Sequence, residues 1–259
     1  MKFAILEKTF STNDEVRKWL TNEEEGNFFA VLAYDQLAGR GQRGRSWYST
    51  PYESLLMSVG FRDFWPLNRP LFLFQAWITY QLAFFLTGLL RNTINLKWPN
   101  DLYWNHLKLG GVLTETIVQG SKPADIIVGI GINLNQLDFP EFLPNPVSAF
   151  MVSGQFYDPE NIFFELTPKL EAVAFESLSL ADNYILQQYT RILDGTRQFF
   201  RYFLTDTRTW ENLTIQELLP DGRVYFHDVR GQRKGPYLHS QLERSVMPSF
   251  PRNAFEANG

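Results

Sequence analysis

The sequence predicts an α+β protein, with a central mixed β-sheet and flanking helices followed by a small C-terminal β-barrel. Three observations carry this. Apolar runs of strand length are interspersed with helical stretches as far as about residue 204. The stretch from Pro70 to about Leu90 is apolar on nearly every face. From about residue 206 the pattern changes to short alternating segments divided by Asp221-Gly222 and Arg230-Gly231, enough for a barrel of about 45 residues.

In chain order, "STNDEVRKWL" (11–20) starts a helix. Thr12 followed three residues later by Glu15 is a capping-box pattern, and Val16, Trp19 and Leu20 form an apolar stripe. "FFAVLAYD" (28–35) and "SLLMSVGF" (54–61) read as buried strands, and the helix opened by Pro70 packs against their sheet. "INLKW" is a short strand cut off by Pro99. "DLYW", the turn "NHLK" and "LGGVLTETIV" form a hairpin. "DIIVGIGINLN" is a further strand, with glycines where something approaches its backbone closely. Residues 159–204 read as two helical segments broken near Ala181 to Asn183. Glu23–Glu25 reads as a solvated acidic loop and "PSFPRNAFEANG" as a frayed tail.

Composition narrows the function classes. A chain of 259 residues with 44% hydrophobic and 20% charged residues is an ordinary globular sequence. Its net charge of −4 and pI of 5.5 give no overall attraction to nucleic acid, so any anion site must be local. The lack of cysteine removes disulfides, thiolate metal sites and thiol nucleophiles, and fits a reducing compartment. His106, His227 and His239 have no i, i+4 pairing that would favour zinc. The four apolar residues after Lys2 are too few for a signal core, and the longest apolar run falls short of a bilayer span. A cytoplasmic location is expected.

Four clusters carry the chemistry. "GRGQRGRSWYS" (39–49) sets three glycines and three arginines in its first seven positions. Glycines let backbone N–H groups turn inward, and guanidinium forks pair with phosphate or carboxylate. By itself the stretch fits a solvated loop, a nucleic-acid contact or a site for a small anion. It is not a Walker A loop, whose pattern occurs nowhere in the chain. "KWPND" offers Lys97 for phosphate oxygens, with Asn100 and Asp101 for a hard cation such as Mg²⁺, or else a decorated turn. "KLGG" places Lys108 beside two glycines. "GIGIN" (129–133) lacks the third glycine and the helix of a dinucleotide fingerprint. Its glycines therefore admit a ligand against a strand, with Asn133 as an end group.

In this order and at these spacings the clusters, together with Ser11-Thr12-Asn13, resemble the biotin–protein ligase family. The resemblance implies a fold of the class II aminoacyl-tRNA synthetase and biotin ligase type. It implies residues 1–205 as the catalytic domain, 206–250 as a barrel of the SH3 type and 251–259 as a flexible tail. The implied reaction has two steps: biotin and MgATP give biotinyl-5′-AMP, which then acylates a lysine of a carboxylase's biotin carboxyl carrier domain. By the same resemblance Ser11, Thr12 and Gln36 hydrogen-bond biotin, Gly39 and Arg40 close over it, and Gly111 and Gly129 line its pocket. Lys108 holds the carboxylate and the reacting phosphate. Arg43, Arg45, Trp47, Lys97, Asn100 and Asn133 serve ATP, and Asp101 binds Mg²⁺ or orients the amine. Lys108, Arg40 and Asp101 form the catalytic set.

The residue types suit that reaction, because fixed cations must neutralise two approaching anions. The acceptor lysine, with an ordinary pKa of about 10.4, is neutral in only roughly one molecule in 2,500 at pH 7. Asp101 is expected to be its base. Two departures from the family pattern stand out. Gln42 replaces a loop cation, from which a leakier adenylate is expected, and Ser11 begins too early for a preceding helix-turn-helix domain. No DNA and no membrane partner is expected, in a monomer or homodimer. The rival readings are a lipoate or octanoate ligase-like acyltransferase and a non-enzymatic binder of biotin or nucleotide.

Overall fold

A computed structural model of the chain describes residues 2–22, 26–196 and 198–244. The predicted acidic loop Glu23–Glu25 and tail 251–259 lie outside them. Seven strands form the main sheet: β1 (Lys2–Thr9), β2 (Phe28–Gln36), β3 (Ser54–Trp65), β4 (Asn95–Lys97), β5 (Asp101–Trp104), β6 (Leu107–Ile117) and β7 (Ala124–Asn133). Their order is β1-β2-β3-β7-β6-β5-β4, with β1 parallel to β2 and the remaining pairs antiparallel.

Alternation of side chains divides the apolar residues between the two faces of this sheet. Ala30 and Leu32 of β2, with Val128, Ile130 and Ile132 of β7, enter the large core. Val31 and Ile127, on the other face, meet Val16, Trp19 and Leu20 of helix α1 (Thr12–Thr21). The large core is capped by α2 (Leu71–Leu90), followed in the chain by α3 (Ala149–Ser153), α4 (Pro159–Ser177) and α5 (Asp182–Arg191). Helix α2 is apolar all round because it lies between the sheet and α4 and α5. Contrary to the expectation from the longest apolar run, it is long and apolar enough to cross a membrane. In this fold 61% of its apolar window is buried inside the protein.

Three further expectations change, and one strand was not foreseen. The N-cap of α1 is Ser11, with no side-chain cap, and Glu15 accepts from Thr9 Oγ1 instead of closing a box with Thr12. The β5–β6 turn is the two residues Asn105 and His106, both at positive φ, as a tight primed turn requires. Strand β1 was invisible in the alternation because most of its side chains are only partly covered. Finally, Phe200–Leu204, assigned to the helical segment, is a strand.

That strand is β8, the first of a second, antiparallel sheet with β9 (Thr209–Leu218), β10 (Val224–Asp228), β11 (Arg233–Tyr237) and β12 (Leu242–Arg244). The order is β11-β10-β9-β8-β12, so the sheet begins before residue 206. Phe200, Tyr202, Leu213, Val224 and Phe226 are continuous with the large core. Trp98 Nε1 donates to Gly222 O at 3.1 Å, and Arg244 pairs with Asp194 at 2.8 Å, both side chains under a tenth exposed.

Candidate active site

The face of the main sheet that carries α1 has a bare patch beyond the helix. By register, Ser58 of β3 lies opposite Gly129 of β7, Gly129 opposite Leu113 of β6, and Gly131 opposite Gly111. A Cβ at Gly129 would overlap the amide of Asn13, and one at Gly131 would stand 2.6 Å from the Trp47 indole. Above this patch is a cavity of about 670 Å³.

One end of the cavity is neutral and hydrogen-bonded. Thr12 donates to Gln36 Oε1 from its N–H at 2.8 Å and from Oγ1 at 3.1 Å. Ser58 Oγ lies 2.6 Å from both Thr12 Oγ1 and Asn13 Oδ1. The first turn of α1 is thus held by β2 and β3, which explains why Thr12 does not cap its own helix. Ser11 lines the cavity beside it.

The other end is cationic. The Lys108 ammonium lies 2.7 Å from Asp101 Oδ1 and 5.8 Å over the Trp47 ring. Lys97, at the end of β4, has its Nζ 3.3 Å from the Tyr103 hydroxyl. Burial lowers its pKa to about 8, against the partial opposing effect of Asp101. Arg43 and Arg45 line the same end. Their loop is a small hairpin closed by Gly41 N–H to Arg45 O at 2.7 Å and Trp47 N–H to Gly39 O at 2.8 Å. Arg40 points from it to α1, with bidentate hydrogen bonds to Asp14 at 2.6 and 2.8 Å that hold the Asp14 carboxyl below its ordinary pKa.

The cavity therefore brings together Ser11, Thr12, Gln36, Arg40, Arg43, Arg45, Trp47, Lys97, Asn100, Asp101, Lys108, Gly111, Gly129 and Asn133. Gly39 lies behind the lining, against the Trp47 backbone. Two asparagines serve the frame: the Asn100 amide donates to Val112 O, and Asn133 donates to Val147 O at 3.1 Å. Gly129 admits Asn13 rather than facing the cavity alone. Among the described residues no group of three or more His, Asp or Glu could hold a metal. Sequence reasoning missed Asn13, Ser58 and Gly131. Asn13 stands in the Ser-Thr-Asn motif and Gly131 in "GIGIN", so both were within reach, whereas Ser58 has no local signal. His239 and Arg244 line the cavity from the second sheet, and nothing in the sequence connects them to it.

Comparison with known proteins agrees with this geometry. The sequence profile of the biotin/lipoate A/B protein ligase family matches residues 6–133. A biotin–[acetyl-CoA-carboxylase] ligase of Paracoccus denitrificans is 34% identical over 172 residues, which cover 63% of this chain and 69% of that one. The chain belongs to this family. The bifunctional ligase/repressor BirA of Bacillus spizizenii is 32% identical over 60% of this chain, and the match spans 48% of BirA, about half its length. In three dimensions the chain resembles the biotin protein ligase of Aquifex aeolicus solved with biotin and ATP. That likeness has a TM-score of 0.74 at 20% identity and covers 95% of this chain and 99% of the other. It establishes the shared fold.

The buried cation gives a prediction with a defined sign. In the native state Lys97 releases its proton near pH 8 and in the unfolded chain near its ordinary 10.5, so the burial penalty on its charge acts fully below pH 8. Lys97→Met is expected to raise the melting temperature at pH 7. That gain over the parent should shrink as the pH rises from 8 to 10.5, as followed by thermal denaturation of both proteins across this range. A gain independent of pH would show that Lys97 carries no such penalty.

Proposed function

We propose that the chain activates biotin with MgATP to biotinyl-5′-AMP and transfers the biotinyl group to a lysine of a biotin carboxyl carrier domain. The observation that supports this best is the single cavity with a neutral hydrogen-bonding end at Ser11, Thr12 and Gln36 and a cationic end at Lys97, Lys108, Arg43 and Arg45. A head group rich in hydrogen bonds suits the first end and a triphosphate the second. Within the cationic end, Lys108 stands beside Asp101 and the Trp47 ring.

In the first step a carboxylate oxygen of biotin attacks the α-phosphorus, the bond to the β-phosphate breaks, and pyrophosphate leaves. Lys108 turns from Asp101 to the converging oxygens and neutralises them, while Lys97, Arg43 and Arg45 hold the leaving phosphates. Trp47 offers its ring to the adenine, and its Nε1 is buried without a hydrogen-bond partner among the described residues. A single carboxylate suits a cation that arrives on phosphates, so Asp101 would be a protein ligand of the magnesium of MgATP. In the second step the acceptor amine attacks the acyl carbon and AMP leaves with the electron pair of the C–O bond. The amine's proton passes to Asp101, freed when Lys108 engages the anions.

Incubation with biotin, MgATP and a carrier domain is expected to add one biotinyl mass to the carrier's lysine. Lys108→Ala should slow adenylate formation about 100-fold or more. No mass gain with the parent protein, or gain with octanoate or lipoate in place of biotin, would overturn the assignment. With preformed biotinyl-AMP, Asp101→Ala should slow transfer most at low pH, the deficit shrinking as the acceptor amine deprotonates by itself. An unchanged rate and pH profile would remove Asp101 as base. Gln42 leaves the loop one cation short, and Gln42→Arg is expected to reduce release of biotinyl-AMP into solution; equal release would show that the position does not retain the adenylate.

A further inference from the structure

The arginine-glycine hairpin divides two openings. On one side is the cavity already described, and on the other a second of about 560 Å³, bounded by the start of α2, Glu115 and the β9–β10 turn. Besides the hairpin itself, Trp98, Leu113 and His239 line both. His239 takes no part in the proposed mechanism.

Its position is built rather than incidental. The turn His239–Gln241 is fixed by Leu238 N–H to Gln241 Oε1 at 2.8 Å, Gln241 N–H to Leu238 O at 2.9 Å and Thr205 N–H to Gln241 O at 3.0 Å. The imidazole stands edge-on to the Trp98 ring with centroids 4.9 Å apart, and Trp98 is tethered in turn to Gly222. The charged groups facing it are Arg43 and Arg45 of the hairpin, Lys97 of β4 and Asp101 of β5. Among the described residues its ring nitrogens have no hydrogen bond or ion pair. Burial, reinforced by Arg43, lowers its pKa to about 3, so the ring is neutral and offers one N–H donor and one acceptor. A half-buried neutral ring that lines the cavity with its nitrogens free of protein partners, set among three cations, can donate to an anion that those cations hold.

We propose that His239 is a polyphosphate-contacting residue supplied by the second sheet, hydrogen-bonding the nucleotide that Arg43, Arg45 and Lys97 hold. This rests on the nucleotide reading of the cavity given above. It carries a linkage. A bound polyphosphate neutralises the three cations that oppose protonation of His239, so nucleotide binding raises its affinity for a proton. Asp101 favours the protonated ring in the free protein, and with the nucleotide free of magnesium no metal takes up that carboxylate on binding. The complex then holds more protons than the free protein, and affinity for the nucleotide strengthens as pH falls toward 6, beyond what the nucleotide's own phosphate contributes.

The test is calorimetric titration of a non-hydrolysable ATP analogue, free of magnesium, in the presence of biotin, in two buffers of different ionisation enthalpy at pH 6.5. The parent protein should take up a fraction of a proton more than His239→Gln does. His239→Ala should bind the analogue about ten-fold more weakly, the loss of one hydrogen bond to a charged group. His239→Gln, which keeps a donor, should recover most of that loss, and biotin affinity and melting temperature should stay near the parent values in both variants. Equal analogue affinity and equal proton uptake in the parent and His239→Gln would overturn the inference, as would parallel losses for biotin and analogue. Pyrophosphate release by the parent with biotin and ATP, measured alongside, reports on the ligase assignment separately. A parent protein that binds the analogue through His239 yet releases no pyrophosphate would sink that assignment and leave the contact standing.

Discussion

The bare face of strand β7 is the constraint on which the site depends. Asn13 of α1 lies over Gly129, and Trp47 of the hairpin lies over Gly131, two residues along the same strand. The helix that supplies the neutral end of the cavity and the loop that supplies much of the cationic end are thereby registered against one backbone. Glycine weakens a strand interior. Here the loss is offset because β7 is hydrogen-bonded on both sides, to β3 and β6, and because Val128, Ile130 and Ile132 anchor its other face in the large core. A side chain at either glycine would displace a whole element, and with it several groups of the cavity at once.

The electrostatics follow from how each cation is restrained in a chain of net charge −4. Arg40 is tied to Asp14 in a pair with both side chains over a third exposed, a contact of the class worth at most about 1 kcal/mol. Lys108 is tied to Asp101 inside the cavity, and for Lys97 the attraction of Asp101 and the Tyr103 hydroxyl offset its burial only in part. An anion entering the cavity thus meets charges in order of increasing need. It competes easily for Arg40, exchanges with Asp101 for Lys108, and relieves Lys97 of a desolvation penalty already incurred in folding. Such a set is preorganised: the unfavourable part of gathering the cations is met by the fold and not at the moment of reaction.

How far the sequence discloses this depends on whether a residue's task is local. The hairpin, Lys97, Asp101 and Lys108 are short-range patterns, and all of them line the one cavity. Strands β2, β3 and β7 are legible because they are buried on both faces, whereas β1, largely exposed, shows no comparable alternation. Thr12 and Glu15 illustrate the opposite case. Their spacing satisfies a capping rule, but Gln36 and Ser58, 24 and 46 residues away, claim the threonine instead. Asn100 and Asn133 line the cavity to which their motifs point, and their amide nitrogens are in addition engaged by backbone carbonyls that only the folded chain brings near. Phe200–Leu204 reads as the end of a helix because its partners, β9 and β12, lie later in the sequence.

The second sheet is joined to the main one stiffly. Its apolar residues are continuous with the large core, and Arg244 and Asp194 form a buried pair in which removing either partner would strand a charge in the interior. Trp98 extends the same junction to the cavity wall, through Gly222 on one side and the His239 ring on the other. The hairpin differs, since its backbone hydrogen bonds are internal: Gly41 to Arg45, Trp47 to Gly39 and Arg45 to Gln42. Arg40 and Trp47 therefore ride on one self-contained unit. Whatever draws Arg40 from Asp14 therefore also bears on Trp47 at the face of β7. The wall that the hairpin meets, built from Trp98 and His239, is fixed by both sheets.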